Sequence, residues 1–150
     1  MKKLLVLFII VILFGGCSNS QKGWKTVTIP QVGSLDIPQS MVYEEDDKAI
    51  YICSDSDAKL LIGVKYENGS YTEALSEALG KEIVFEELIS SEVFSNSAII
   101  GKDKYIIDDE PCEKLFLDLY SSDKKVFFIV NDDSVSYDTI TAIGKSFVMD

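Results

Sequence analysis

The chain has 150 residues and carries 25 aspartates and glutamates against 14 lysines, with no arginine and no histidine. Such acidity argues against nucleic acid, because a phosphate backbone must be neutralised by cations before it binds. The lack of histidine removes Ser-His-Asp and Cys-His catalysis and histidine-ligated zinc.

Lys2 and Lys3 precede an unbroken apolar run of 11 residues, Leu4 to Phe14, followed by Gly15, Gly16 and Cys17. A charged start, a short apolar core and small residues at a cut site describe a secretory signal peptide. A bilayer-spanning helix needs about 20 apolar residues, so the run suits export better than permanent insertion. Phe14-Gly15-Gly16-Cys17 resembles a lipobox, in which the cysteine receives a diacylglycerol and becomes the new N-terminus. Leu usually stands where this chain has Phe14, and Phe keeps the apolar character. The expectation is therefore a signal peptide over 1–17, lipidation on Cys17, a polar tether over 18–23 and one domain over 24–150. The domain would sit on the extracytoplasmic face of the cell membrane. Two acyl chains anchor stably where one binds only marginally. Without residues 1–17 the chain keeps 12 lysines and all 25 acids, a net charge of −13. Anionic headgroups would not attract such a domain.

Trp24 to Ile29 alternates and is rich in β-branched residues, which predicts a strand. Trp24 itself reads as a core anchor more readily than as a ligand contact. Pro30 ends the strand, Gly33-Ser34 turns, and Leu35 to Pro38 returns as the second arm of an opening hairpin. Met41-Val42-Tyr43 leads into Glu44-Glu45-Asp46-Asp47, read as a solvated turn. Lys48 to Cys53 and Leu60 to Tyr66 are the next strands, and Asn68-Gly69 closes them. Ser70 with Glu73 matches a capping box. Tyr71, Ala74, Leu75, Ala78, Leu79 and Ile83 then share one helical face, with Gly80 weakening or ending the helix. Ile83 to Ile89 reads equally as helix or not. Glu92 to Ile100 and Lys104 to Ile107 read as strands. Glu113 to Tyr120 alternates, with Leu115, Leu117 and Leu119 on one face and Phe116, Asp118 and Tyr120 on the other. Lys125 to Val130 is uniformly apolar, as a strand buried on both faces would be. Tyr137, Ile140, Ile143 and Phe147 recur at helical spacing. Short turns between strands imply mainly antiparallel pairing, so the expected class is α+β: an antiparallel sheet with an opening hairpin, covered by two amphipathic helices.

Candidate sites are few. Phe116 and Tyr120 would form a binding patch if exposed; a helix lying over them would make them core. Cys53 and Cys112 occupy a compartment that permits a disulfide, and a free buried cysteine acting as a small hydrophobe is the plainer reading. Asp55-Ser56-Asp57-Ala58-Lys59 opens like a calcium loop, but Lys59 stands where an oxygen ligand belongs. Asp108-Asp109-Glu110 and Asp132-Asp133 read as solvated turns. No metal or cofactor is expected. Acidic turns converging in a cleft would support an alternative, a carboxylate-based hydrolase or a calcium-dependent protein.

Three stretches resemble the Mog1/PsbP-like fold, which includes the DcrB-type lipoproteins. They are Val32-Gly33-Ser34-Leu35-Asp36-Ile37-Pro38, Ile107-Asp108-Asp109-Glu110-Pro111-Cys112-Glu113, and the terminal helix Ile140 to Phe147. Glycine often stands in that family at the place of Asp109 or Glu110. The resemblance implies a sandwich of sheet and helices with no shared catalytic residues. It implies a non-enzymatic binding or assembly factor with an envelope protein as partner.

Overall fold

A computed structural model describes residues 22–67, 70–94, 97–122 and 124–150. Cys17, the signal segment, nearly all of the tether and the Asn68-Gly69 turn lie outside the described residues.

The strands are β1 (Trp24–Ile29), β2 (Gly33–Pro38), β3 (Val42–Glu45), β4 (Ile50–Cys53), β5 (Lys59–Tyr66), β6 (Ile83–Phe94), β7 (Ala98–Ile107), β8 (Glu110–Tyr120), β9 (Lys125–Val130) and β10 (Val148–Met149). The helices are α1 (Tyr71–Leu79) and α2 (Tyr137–Lys145). Seven strands form one sheet in the order β3-β4-β5-β9-β8-β7-β6, and β1-β2-β10 form a smaller one. Every pairing is antiparallel. The α+β class read from the pattern is the observed one.

β9 holds the centre of the large sheet, which explains its unbroken apolar composition. Val126, Phe128 and Val130 face one core, and Phe127 and Ile129 face the other. The first core lies between the large sheet, the small sheet and α2, where Ile29, Leu35, Ile37, Ile140 and Ile143 meet Ile100, Leu117 and Phe128. The second lies under α1, which drives Leu75 against the opposite face. A methylene-rich side chain buried this fully contributes about 2–3 kcal/mol.

α1 begins where Ser70 accepts the Thr72 N–H and ends at Gly80, whose left-handed φ of 63° lets its own N–H reach the Ser76 carbonyl. That conformation costs glycine little and stops the helix. Ile83 therefore opens β6 opposite Ile107 instead of closing the helical face. The Ile83–Ile89 stretch is strand, and Glu92 to Ile100 is not one strand but the end of β6 and the start of β7, with Phe94 opposite Ala98. Glu44 and Glu45 belong to β3, so only Asp46 and Asp47 of that acidic run turn. The β7–β8 hairpin turns on Asp108 and Asp109, with φ of 49° and 68°. Two consecutive positive φ values mark a type I′ turn, which aspartate tolerates better than most residues. β10 has two residues and escapes any periodicity argument.

Candidate functional site

Residues 99, 101, 103, 105 and 107 of β7 and residues 116, 118 and 120 of β8 point to the α1 side, and two of them are carboxylates. Asp103 is 3% exposed and Asp118 8%. Tyr105 donates to Asp103 Oδ2 at 2.9 Å and Tyr71, from α1, donates to the same oxygen at 3.2 Å. Tyr66 donates to both Asp118 oxygens at 2.9 Å, and Tyr120 to Oδ2 at 2.6 Å. Burial raises the carboxyl pKa of both aspartates, against the lowering pull of these hydroxyls. Lys125, lying over the rings of Tyr120 and Tyr66, also draws Asp118 downward, whereas the Asp103 charge pushes it up. Burial likewise raises all four tyrosines, so they stay protonated and keep donating. Of the four carboxylate oxygens, Asp103 Oδ1 alone has no hydrogen-bond partner among the described residues. Both acids are closed off from solvent and engaged by hydroxyl donors: Asp103 ties α1 to the sheet through Tyr71, and Asp118 ties β8 to β5 through Tyr66.

The acidic turns share one end of the large sheet but, among the described residues, do not gather into a cation site either. Asp55 and Asp57 lie between β4 and β5, Asp108 and Asp109 between β7 and β8, and Asp132 and Asp133 after β9. Three of them are already engaged: Asp108 accepts the Glu82 N–H at 3.0 Å, Asp132 the Ser134 N–H at 2.8 Å, and Asp133 pairs with Lys114 at 3.9 Å. Among the described residues no three acids or cysteines form a group able to hold a metal.

Phe116 and Tyr120 do not form an exposed patch. Phe116 is 5% exposed and stacks on Phe127, which in turn stacks on Tyr71 of α1. Tyr120 is half-buried beside Asp118. Phe116 is core beneath α1 by way of Phe127, and Tyr120 is taken up by Asp118 and Lys125, which alternation alone could not decide. Cys53 and Cys112 are both free. Their strands, β4 and β8, are separated by β5 and β9. Three inter-strand steps of about 4.8 Å far exceed the roughly 7 Å limit for bridged Cα atoms.

The surface feature that sequence reading missed is β6. Of the nine exposed large apolar side chains among the described residues, five stand on this strand: Val84, Phe85, Leu88, Ile89 and Val93. β6 closes one edge of the large sheet. Phe85 lies opposite Tyr105, Leu88 opposite Asp103 and Val93 opposite Ile99, so all three project on the α1 side. Phe85 meets the Tyr105 ring edge-on, with centroids 6.1 Å apart. The apolar strip is thus continuous with the tyrosine–aspartate network, beyond the reach of the nine-residue helix. A cleft of about 530 Å³ opens on the other face, lined by Lys102, Glu113, Lys114, Asp133 and Tyr137 among others. Its lysines are already matched, Lys102 to Glu113 at 2.8 Å and Lys114 to Asp133 at 3.9 Å.

Neither family models nor curated proteins match the sequence. Among solved structures, the solution structure of cyanobacterial PsbP (CyanoP) from Synechocystis sp. PCC 6803 matches with a TM-score of 0.54. The match spans 90% of this chain and 98% of that one, at 12% identity. The fold is PsbP-like. The likeness is one of architecture, and the residues that distinguish this PsbP-like domain have to be read from its own surface.

One signal could have exposed β6 in the sequence. Apolar residues at 83, 84, 85, 88, 89 and 93 mimic helical spacing. Bulges between Phe85 and Glu87 and between Leu88 and Ser90 produce that spacing in a strand, because each inserts a residue and resets the alternation. Gly80 as a helix stop was the clue that the following segment starts a new element.

Proposed function

We propose that this chain is a lipoprotein, lipid-anchored through Cys17 on the extracytoplasmic face of the cell membrane, whose PsbP-like domain is a non-catalytic binding or assembly module. The anchor rests on the lipobox-like sequence and on the charge of the domain, which headgroups would not hold. The binding reading rests on β6: an edge strand with five exposed large apolar side chains. Isolated apolar residues at a surface need no explanation, but Phe85, Leu88 and Val93 gather on one face of this edge strand, and clustered exposed apolar side chains mark an interaction site. The buried acids support the non-catalytic side of the reading, since tyrosines occupy Asp103 and Asp118.

Two measurements test it in the producing cell. Metabolic palmitate labelling and sedimentation with membranes should both be lost in Cys17→Ala. A photo-cross-linking residue at position 88 should form an adduct with an envelope protein, and one at position 42, on the opposite edge strand, should not. Membrane retention of unlabelled Cys17→Ala would contradict the anchor, and equal adducts from both positions would contradict the binding face.

A further inference from the structure

One edge of β6 pairs with β7 from Ile83 to Phe94, and no strand among the described residues pairs with the other. A run of 12 residues at about 3.3 Å each offers roughly 40 Å of edge. Proteins commonly guard such edges with inward charges, lysines, prolines or bulges. This one has two bulges and no proline or lysine, and its guard is of one sign: Glu86, Glu87 and Glu92.

The two faces of the strand differ. Phe85, Leu88 and Val93 project on the α1 side, whereas Glu87, opposite Lys104, and Glu92, opposite Ile100, project on the α2 side. Glu86 lies 3.4 Å from Lys104, and Glu92 accepts only the neutral Tyr137 hydroxyl at 3.2 Å. Neither Glu87 nor Glu92 has an ion-pair partner among the described residues.

We infer that the free edge of β6 accepts an extended basic polypeptide segment of a partner protein, which adds to the sheet as an eighth strand. The inference rests on the binding reading above and names the partner chemistry. A segment alternating apolar residues with lysine or arginine matches both faces at once. Its apolar residues lie against Phe85, Leu88 and Val93, and its cations against Glu87 and Glu92. Cross-strand pairs of each kind contribute roughly 0.2–1 kcal/mol, and main-chain hydrogen bonds supply the common affinity of strand addition. A second copy of this chain does not fit. It would bring the same glutamates to the edge, on a molecule of net charge −11, and like charge resists self-association.

The test uses the full chain in nanodiscs of neutral phosphatidylcholine and three fluorescent twelve-residue peptides, alternating Lys-Val, Glu-Val and Lys-Gly. Fluorescence anisotropy should show Lys-Val binding saturably, Glu-Val not binding, and Lys-Gly binding at least tenfold more weakly. Leu88→Lys and Glu87→Lys should each weaken Lys-Val at least tenfold. Val42→Lys, on the opposite edge strand, should leave it unchanged. The variants alter exposed side chains, and an unchanged unfolding temperature checks that the fold persists. Equal binding of Lys-Val and Lys-Gly, or equal weakening by Val42→Lys, would overturn the inference in favour of diffuse charge attraction. A position-88 cross-link between two copies would overturn it in favour of self-association. Absence of Lys-Val binding while the position-88 adduct to an envelope protein persists overturns strand addition alone. Loss of both overturns the binding reading as well.

Discussion

Tyr71 of α1 lies face to face with Phe127 of β9, ring centroids 3.8 Å apart and planes inclined by 13°. The stack places the Tyr71 hydroxyl within 3.2 Å of the buried Asp103. Packing and polar satisfaction thus converge on one side chain, at the first residue of a short helix. Tyr71→Phe should keep the stack and remove one of Asp103's two donors, at a cost of about 1–3 kcal/mol. Tyr71→Ala should lose the stack too, for a total of about 3–5 kcal/mol. Urea unfolding followed by tryptophan fluorescence of Trp24 measures both.

The buried carboxylates give the domain a pH signature. Burial holds Asp103 and Asp118 above their ordinary carboxylate value of 3.8. Between the unfolded and folded pKa values the folded state binds more protons than the unfolded one, so their contribution favours folding at low pH and declines as pH rises through that window. Exposed acids such as Asp46, Glu67 and Glu113 are lowered and act in the opposite sense. A difference experiment separates the two. The stability of the natural chain minus that of Asp103→Asn or Asp118→Asn should fall from pH 3 upward and level off once the folded carboxyl has ionised. A difference that rises with pH would show that the hydroxyl donors outweigh burial.

Gly63 on β5 stands opposite Phe128 on β9. A Cβ at residue 63 would come within 2.4 Å of the Phe128 ring, which is itself fully buried. Gly63→Ala should therefore destabilise by about 1–3 kcal/mol through overpacking, despite alanine's smaller backbone entropy. The unfolding temperature of the variant reads this directly.

Cys53 is buried, and burial together with Glu44 raises its thiol pKa. The thiolate is the reactive form, so native Cys53 should resist iodoacetamide. Cys112 is only partly buried, on the same face of the sheet but three strands away, and should be alkylated first. Peptide mass mapping after brief labelling distinguishes the two, and reducing agent should leave the unfolding temperature unchanged.

The fold was largely legible because its core strands carry either alternating or unbroken apolar patterns bounded by turn residues. Lys125 to Val130 and Trp24 to Ile29 are observed with the bounds their composition suggests. Failures fall where two periods overlap. β6 looks half helical because bulges shift its apolar residues. Glu44 and Glu45 look like a turn, yet a strand at a sheet edge leaves side chains free to be charged. The candidate site was less legible. Phe116 and Tyr120 were assigned to the correct face of β8, but what lies over that face depends on α1, a long-range contact no local pattern reports. Asp118 shares that face and was read only as part of the alternation; its hydroxyl donors, Tyr66 of β5 and Tyr120 of β8, come together only in the folded sheet.

The most direct measurement of the account is hydrogen–deuterium exchange on the full chain in neutral nanodiscs, with and without the Lys-Val peptide. An added strand supplies acceptors to amides along the outer edge of β6. Strand addition predicts slowed exchange across Ile83–Phe94 and no change across Val42–Glu45, the opposite edge of the same sheet. Unchanged exchange in β6 at saturating peptide, or equal slowing at both edges, would contradict it.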